Sequence, residues 1–453
     1  MRRIMAGLIV LALGAAGGWL LVGGDGGGPG DDGRAPTWRT RVQLQASIEG
    51  YDVAATADSV VVRIGRSVVG LDRRTGQQRW SYKAKDGDVG DFYADVAVAG
   101  NVVAVSGRKK GEGLWLDVLD TASGRKLWSH KAKSGEVTVL QDAVYTADCA
   151  RDCVVSKRDL RTGEDRWTLN EPPATQVMPP DLGARIGKTE ARALQARPSG
   201  AYVLLARGDG RKAGDRFTVL DAGTGRRLTG VRNTGWTGIL TPRSLVVGEP
   251  VDEREEDPAC RYSLRAHGIR DGKPQWRGEV STHFSKRDDK SGCSGLLTTG
   301  DHALGIPPDA LIATTADGRP QAFDLAAGKP RWAAQRRGVP IDAGPRVVLV
   351  RDTRESGPIR ALDPATGREL WQAPDPEELT ADTAVAGDSV LIRYRGGNGG
   401  RTAVLNAADG RQRWTSQSGS GNLAGAGDDW FAMVPSRSDQ EGPHDILFYE
   451  LSR

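Results

Sequence analysis

Four cysteines are the residues of this chain best suited to covalent chemistry, and they fall as two pairs, Cys149 with Cys153 and Cys260 with Cys293. An even set in an exported domain favours disulfides. Three pairings are open. The local one staples a hairpin loop at Cys149–Cys153 and ties together the charged loops 252–257 and 285–290 through Cys260 and Cys293. Neither pair has the C-x-x-C spacing of a zinc site, which makes a four-cysteine metal centre the lesser alternative. The five histidines, at 130, 267, 283, 302 and 444, are scattered. The acidic run Asp252-Glu253-Arg254-Glu255-Glu256-Asp257 lacks the alternation and the glycine of a calcium loop and reads as a solvated excursion. Gly419 to Ala424 fits G-x-G-x-x-A, but no helix follows to receive a phosphate. No Walker A sequence and no G-x-S-x-G occurs. The residues therefore offer no catalytic group, no metal ligand set and no cofactor site.

What repeats is structural. An apolar strand, Asp, two residues, Thr-Gly, three residues and Trp recur along the chain, most clearly from Leu362 and Asp363 through Thr366-Gly367 to Trp371. The other copies place Gly76 before Trp80, Gly124 before Trp128, Gly163 before Trp167, Gly225 before Thr229, Gly272 before Trp276, Gly328 before Trp332 and Gly410 before Trp414. All eight keep Gly four residues ahead of the anchor, and only Thr229 replaces the indole. Asp ending a strand accepts N–H bonds from the turn, and Gly supplies its positive φ. The Trp then falls on the next strand, as a packing wedge rather than a ligand contact. Anchors lie 39 to 62 residues apart, the span of a four-stranded unit, and β-branched runs such as Val60-Val61-Val62 and Val347-Val348-Leu349-Val350 fill the intervals. No long amphipathic helix interrupts them. The class is all-β, a β-propeller of four-stranded blades spanning residues 38–453. Eight blades are expected. Nine stay open, because a strand bearing Trp38 can complete a last blade that lacks its own turn and Trp.

The first 24 residues differ from the rest. Arg2 and Arg3 precede an uncharged stretch from Ile4 to Gly24, long enough to cross a bilayer as one helix. The positive flank puts the N-terminus in the cytoplasm and everything after residue 24 outside it. A cleaved signal peptide is the rival reading. Residues 25–37, rich in glycine, read as a polar tether. With 62 Lys and Arg against 58 Asp and Glu and no basic stripe, nucleic acid is not an expected partner.

The recurring A-x-D-x-x-T-G-x-x-x-W seen from Ala361 to Trp371 resembles the signature of the PQQ-like (pyrroloquinoline quinone) repeat family. That family holds quinoprotein dehydrogenases, the propeller lipoprotein of the outer-membrane barrel-assembly machinery, and sensor domains. The dehydrogenase branch implies adjacent cysteines and a calcium site beside the quinone. Adjacent cysteines are absent, so PQQ is not expected as a cofactor. Taken with the N-terminal segment, the resemblance leads to the expectation of a monomeric, non-catalytic binding or scaffolding module, single-pass in the cell membrane through residues 1–24 and exposed on its extracytoplasmic side. Its loops would contact a protein or another cell-envelope component. The 170–192 insertion and the loops 252–257 and 285–290 are the expected recognition face.

Overall fold

A computed structural model describes residues 33–42, 51–64, 67–83, 95–109, 113–178, 194, 196, 199–208, 215–232, 237–251, 259–283, 310–352, 358–373, 380–394, 401–416, 421–435 and 444–451. The segment expected to span the membrane lies outside them, and among the described residues no helix is long and apolar enough to cross a bilayer.

Every described element is a strand. The first unit shows the local logic. Tyr51–Ala55, Ser59–Ile64, Ser67–Asp72 and Gln78–Lys83 form an antiparallel meander of valine-rich strands whose middle members are buried on both faces. Further meanders start at Asp95, Gly135, Thr175, Thr237, Val339 and Thr380. Three described strands run from Ala310 to Ala333, joined to the preceding unit by the pair Ser281–Thr314. The last comprises Gly421–Ala426, Trp430–Pro435 and His444–Glu450. Its outer strand is Trp38–Val42 from the other end of the chain, with Trp38 opposite Phe448.

There is no single core. Nine separate apolar clusters lie between consecutive units, and the one containing Trp38, Val60, Ala432 and Phe448 joins the last unit to the first. Such a closed ring of radial sheets is the arrangement of a β-propeller. Counted by these cores, nine units are present among the described residues where eight blades were expected. The copy with Thr229 is degenerate in side chain only. Asp221 and Gly225 still turn its hairpin, so a full four-stranded unit forms from Thr175 to Arg232.

Up-and-down order places the turn between the first two strands and the Asp-Thr-Gly turn at one end of each unit. The two turns bond to each other, as in Arg73 N–H to the Asp58 carbonyl (3.1 Å) and Ala222 N–H to the Ala201 carbonyl (2.9 Å). The remaining connections leave from the opposite face. That separation divides the expected recognition loops. The chain between Met178 and Tyr202 belongs to the motif-turn face, whereas the loop after Pro250 and the one after His283 leave from the other. The insertion is also shorter than 170–192. Asn170 and Glu171 end a strand at Pro172, and Thr175–Met178 form the innermost strand of the fourth unit.

Candidate functional site

The repeated turn sets the geometry of the ring. In the first unit Asp72 Oδ1 accepts the N–H groups of Arg74 (2.9 Å) and Thr75 (2.8 Å) and the Thr75 hydroxyl (3.0 Å). The other carboxylate oxygen takes Arg79, seven residues on. Arg166 does the same for Asp159 at 2.6 Å and Arg331 for Asp324 at 3.0 Å. The Arg166 bond, helped by two turn amides, lowers the Asp159 carboxyl to about 2. These acids stay ionised at any physiological pH and their lone pairs are occupied by the fold. In the copy that places Gly272 before Trp276, the strand-ending position is held by Gly268, whose carbonyl accepts the Gly272 amide (2.8 Å).

All eight motif glycines have φ between 65° and 73°. Seven meet the anchor of the preceding unit: Gly76 lies on Trp38, Gly124 on Trp80, Gly163 on Trp128, Gly225 on Trp167, Gly328 on Trp276, Gly367 on Trp332 and Gly410 on Trp371. A Cβ at any of these seven would stand under 3 Å from an indole carbon. Six of the indoles donate their N–H to the carbonyl one residue past the strand end, from Trp38 to Arg73 (2.7 Å) through Trp371 to Ala407 (2.9 Å). Trp276 packs alike but keeps its buried N–H without a partner. The anchors are therefore rivets between units.

Two junctions differ. At Gly272 the preceding anchor is Thr229. At Trp414 the next unit is the split one and has no motif turn. Trp414 instead stacks with Phe431 and Tyr449, each at 5.7 Å, and the Arg34 guanidinium lies 5.0 Å over its ring. Gly33 and Arg34, within the stretch read as a tether, pair in parallel with Thr415 and Ser416. Ring closure is further tied by the Trp38–Phe448 stack (4.9 Å) and by Asp445, which is buried and held by Arg39 and by Arg41 (3.0 Å). Burial raises the Asp445 carboxyl, and the two arginines outweigh it, so its pKa is lowered.

Polar groups buried between strands are likewise taken up by the scaffold. Lys157 bonds Asp142 (2.8 Å) and reaches the Ala222 carbonyl of the next unit (3.1 Å). Asp342 accepts the Val385 amide of its neighbour (2.7 Å). Asp117 takes the Tyr82 hydroxyl and Lys126 (2.8 Å). Burial and that acid together push the Tyr82 phenol up. Asp52 is raised by burial in spite of its Arg63 partner. None of these partners was legible, because they meet across units or across strands.

Cys149 and Cys153 form a disulfide that closes the loop between two strands of the third unit, on the face opposite the motif turns. Cys293 and the run 252–257 lie outside the described residues, as does the Cys260 side chain. His130 contacts Asp148 (2.9 Å) and His267 faces the Gly272 carbonyl (3.3 Å). Among the described residues no three His, Cys, Asp or Glu side chains are grouped as metal ligands.

One segment enters the axis. After Met178 the chain reappears against the second unit, where Leu194 O accepts the Val98 amide (2.6 Å) and Ala196 N–H donates to the Val98 carbonyl (2.9 Å). Asp95–Ala99 is the innermost strand of its sheet, so these residues extend that sheet toward the axis. Leu194 is 1% exposed, within the core between units one and two. Asp142 holds the returning chain at Ser199, its amide donating to the Ser199 hydroxyl (3.0 Å). Leu194 and Ala196, which follow unit four's first strand in the chain, are thus anchored on unit two.

A family model of PQQ-repeat type, described as outer membrane protein assembly factor BamB, matches residues 31–257 and 355–434. The unmatched middle begins just before the irregular Gly268 copy and includes the strands from Ala310 to Ala333. No curated protein matches. Among solved structures, BamB from Moraxella catarrhalis is similar over 90% of this chain and 100% of its own, at 16% identity and a TM-score of 0.42. The computationally designed Ika8 protein is similar over 80% and 98%, at 15% identity and a TM-score of 0.41. Quinohemoprotein alcohol dehydrogenase from Comamonas testosteroni is similar over 92% and 76%, at 13% identity and a TM-score of 0.43.

Proposed function

Because this chain belongs to the PQQ-repeat family described as outer membrane protein assembly factor BamB, we propose that it is a non-catalytic binding or scaffolding module for a protein of the cell envelope. The family match is the observation that carries this reading, since an assembly factor works by contacting other proteins. The occupied acids support it. Rigid turns whose carboxylates are spoken for present surfaces rather than reactive groups. In this reading residues 1–24 anchor the chain in the cell membrane, the ring stands outside it as a monomer, and no PQQ is used. Partners approach through connections of the face that carries the Cys149–Cys153 loop, where the loops after Pro250 and His283 also leave the ring.

The test is purification of the full-length protein in mild detergent from its own membrane, with identification of what accompanies it. A stoichiometric envelope protein is the expected companion. Titration of the same preparation with PQQ and Ca²⁺ decides the alternative, a quinoprotein-like PQQ-dependent dehydrogenase. Stoichiometric quinone binding with substrate-dependent dye reduction would overturn the non-catalytic reading.

A further inference from the structure

At the junction between the eighth unit, which starts at Thr380, and the split unit, no motif turn lays a glycine on the indole. Arg34 covers Trp414 instead, its guanidinium 5.0 Å over the ring. The backbone of the same short segment is fastened too. Gly33 and Arg34 pair in parallel with Thr415 and Ser416 and give the sheet of the eighth unit a fifth strand. By Thr37 the chain has crossed to the split unit. There the Thr37 N–H donates to the Phe448 carbonyl (2.7 Å), and the Thr37 hydroxyl accepts the Glu450 N–H (3.0 Å). Trp38–Val42, the strand that closes the ring, follows at once. Trp414 in turn stacks on Phe431 and Tyr449 of the split unit, which are themselves stacked at 4.6 Å. The segment read as a tether thus grips one unit before it completes the next.

We propose that Gly33 and Arg34 form a strap, which passes the pull of the membrane anchor into the eighth unit and keeps it off the closing strand. The proposal rests on the reading of residues 1–24 as an anchor. In such a chain the ring is closed by the strand of the split unit nearest the anchor, five residues held to a partner strand at the other end of the sequence. Trp38 and Phe448 face each other at the end of that pair from which the chain leaves toward both termini. A pull on an unfastened tether would therefore reach Trp38 first and peel the pairing one residue at a time. A strap ahead of Trp38 shares the load. While it holds, Ala35 to Thr37 carry little of the pull, which spreads through Trp414 into the aromatic stack of two units. The chemistry suits that place. A guanidinium is held to an indole face electrostatically, so the contact re-forms after a slip, and the paired backbone keeps it in register.

Optical-trap pulling on the full-length protein, held at its first residue and its last, tests the strap. Wild type is expected to give way in two steps, the strap first and the closing strand second. Arg34→Ala is expected to show its first step at a clearly lower force, and Arg34→Lys, which keeps a cation for the ring, to recover part of the loss. Without load, amide exchange at Arg39–Val42 should be the same in wild type and Arg34→Ala, because the closing strand keeps its own bonds. A single step in wild type, or a first step at unchanged force in Arg34→Ala, overturns the proposal. Faster unloaded exchange in Arg34→Ala overturns it as well, since Arg34 would then be an ordinary closure contact. The mass of the mature chain separates this from the anchor reading: an intact chain with an unaltered first step sinks the strap alone, whereas a chain that lacks residues 1–24 sinks the anchor and leaves the strap no load to carry.

Discussion

The motif glycines are constrained twice, by backbone and by neighbour, and three of the chain's glycines separate the two constraints. Gly100 has φ 55° and nothing within 4 Å of the place a methyl would occupy, so Gly100→Ala reports the left-handed backbone alone. That conformation costs an L residue about 1–2 kcal/mol, offset in part by about 0.4–1 kcal/mol of lost freedom in the unfolded chain. The net is about 1 kcal/mol. Gly272→Ala adds a clash with one hydroxyl, which rotates away, and should cost about 1–2 kcal/mol. Gly124→Ala drives a methyl to 2.5 Å from Trp80 Cγ, and that indole is pinned by its bond to the Thr121 carbonyl (2.7 Å). Overpacking adds about 1–3 kcal/mol, for a total of about 2–4 kcal/mol. Urea midpoints at a common slope should fall in the order Gly100→Ala, Gly272→Ala, Gly124→Ala. In a Trp80→Ala background, Gly124→Ala should cost no more than Gly100→Ala, a coupling of about 1–3 kcal/mol. Equal midpoints for Gly124→Ala and Gly100→Ala, or no coupling to Trp80, would show that turn shape alone selects glycine and that the indoles do not rivet the units.

Closure should depend on acid. The Asp445 carboxyl lies below its ordinary 3.8, so its contribution is complete above that value and is lost as pH falls through the lower folded pKa. Amide exchange at Arg39–Val42 should accelerate across that window, and Asp445→Asn should exchange fast throughout. Opening the Cys149–Cys153 bridge frees a loop of only a few residues (sequence separation 4), for which the chain-entropy relation gives about 2 kcal/mol, read as a lower midpoint for Cys149→Ser/Cys153→Ser. Leu194→Ala removes a fully buried side chain and should release the axial segment. The Val98 amide, bonded to Leu194 O, should then lose protection by at least tenfold while Val103 keeps its own.

Local chemistry made the fold legible. Asp, Thr, Gly and Trp at fixed offsets encode one hairpin each, and that information lies within about ten residues of chain. The number of units was harder. Thr229 breaks the side-chain pattern without breaking the turn, and the split unit announces itself only through Trp38. Contacts between units were not legible at all. Arg34 meets Trp414, Lys157 meets Ala222, and Leu194 meets Val98 because ring curvature brings them together. No periodicity in the sequence records that curvature. The division of the three long loops between two faces follows from strand parity, which needs every strand counted.

The split unit makes this chain a cut circle. Leu451 N–H bonds the Asp429 carbonyl (2.8 Å) as Arg73 N–H bonds that of Asp58, so Glu450 stands where every other full unit has its strand-ending residue. Trp38 stands where the anchor belongs, opposite Phe448. The piece absent between them corresponds to one turn, the stretch from Pro364 to Leu370 in the clearest copy. Splicing such a turn between Glu450 and Trp38, and opening the backbone at another motif turn, should give a permuted chain with the same order of neighbours. It would also lay a glycine on Trp414 and evict Arg34, exchanging the one cation-capped anchor among the described residues for a junction like the other seven.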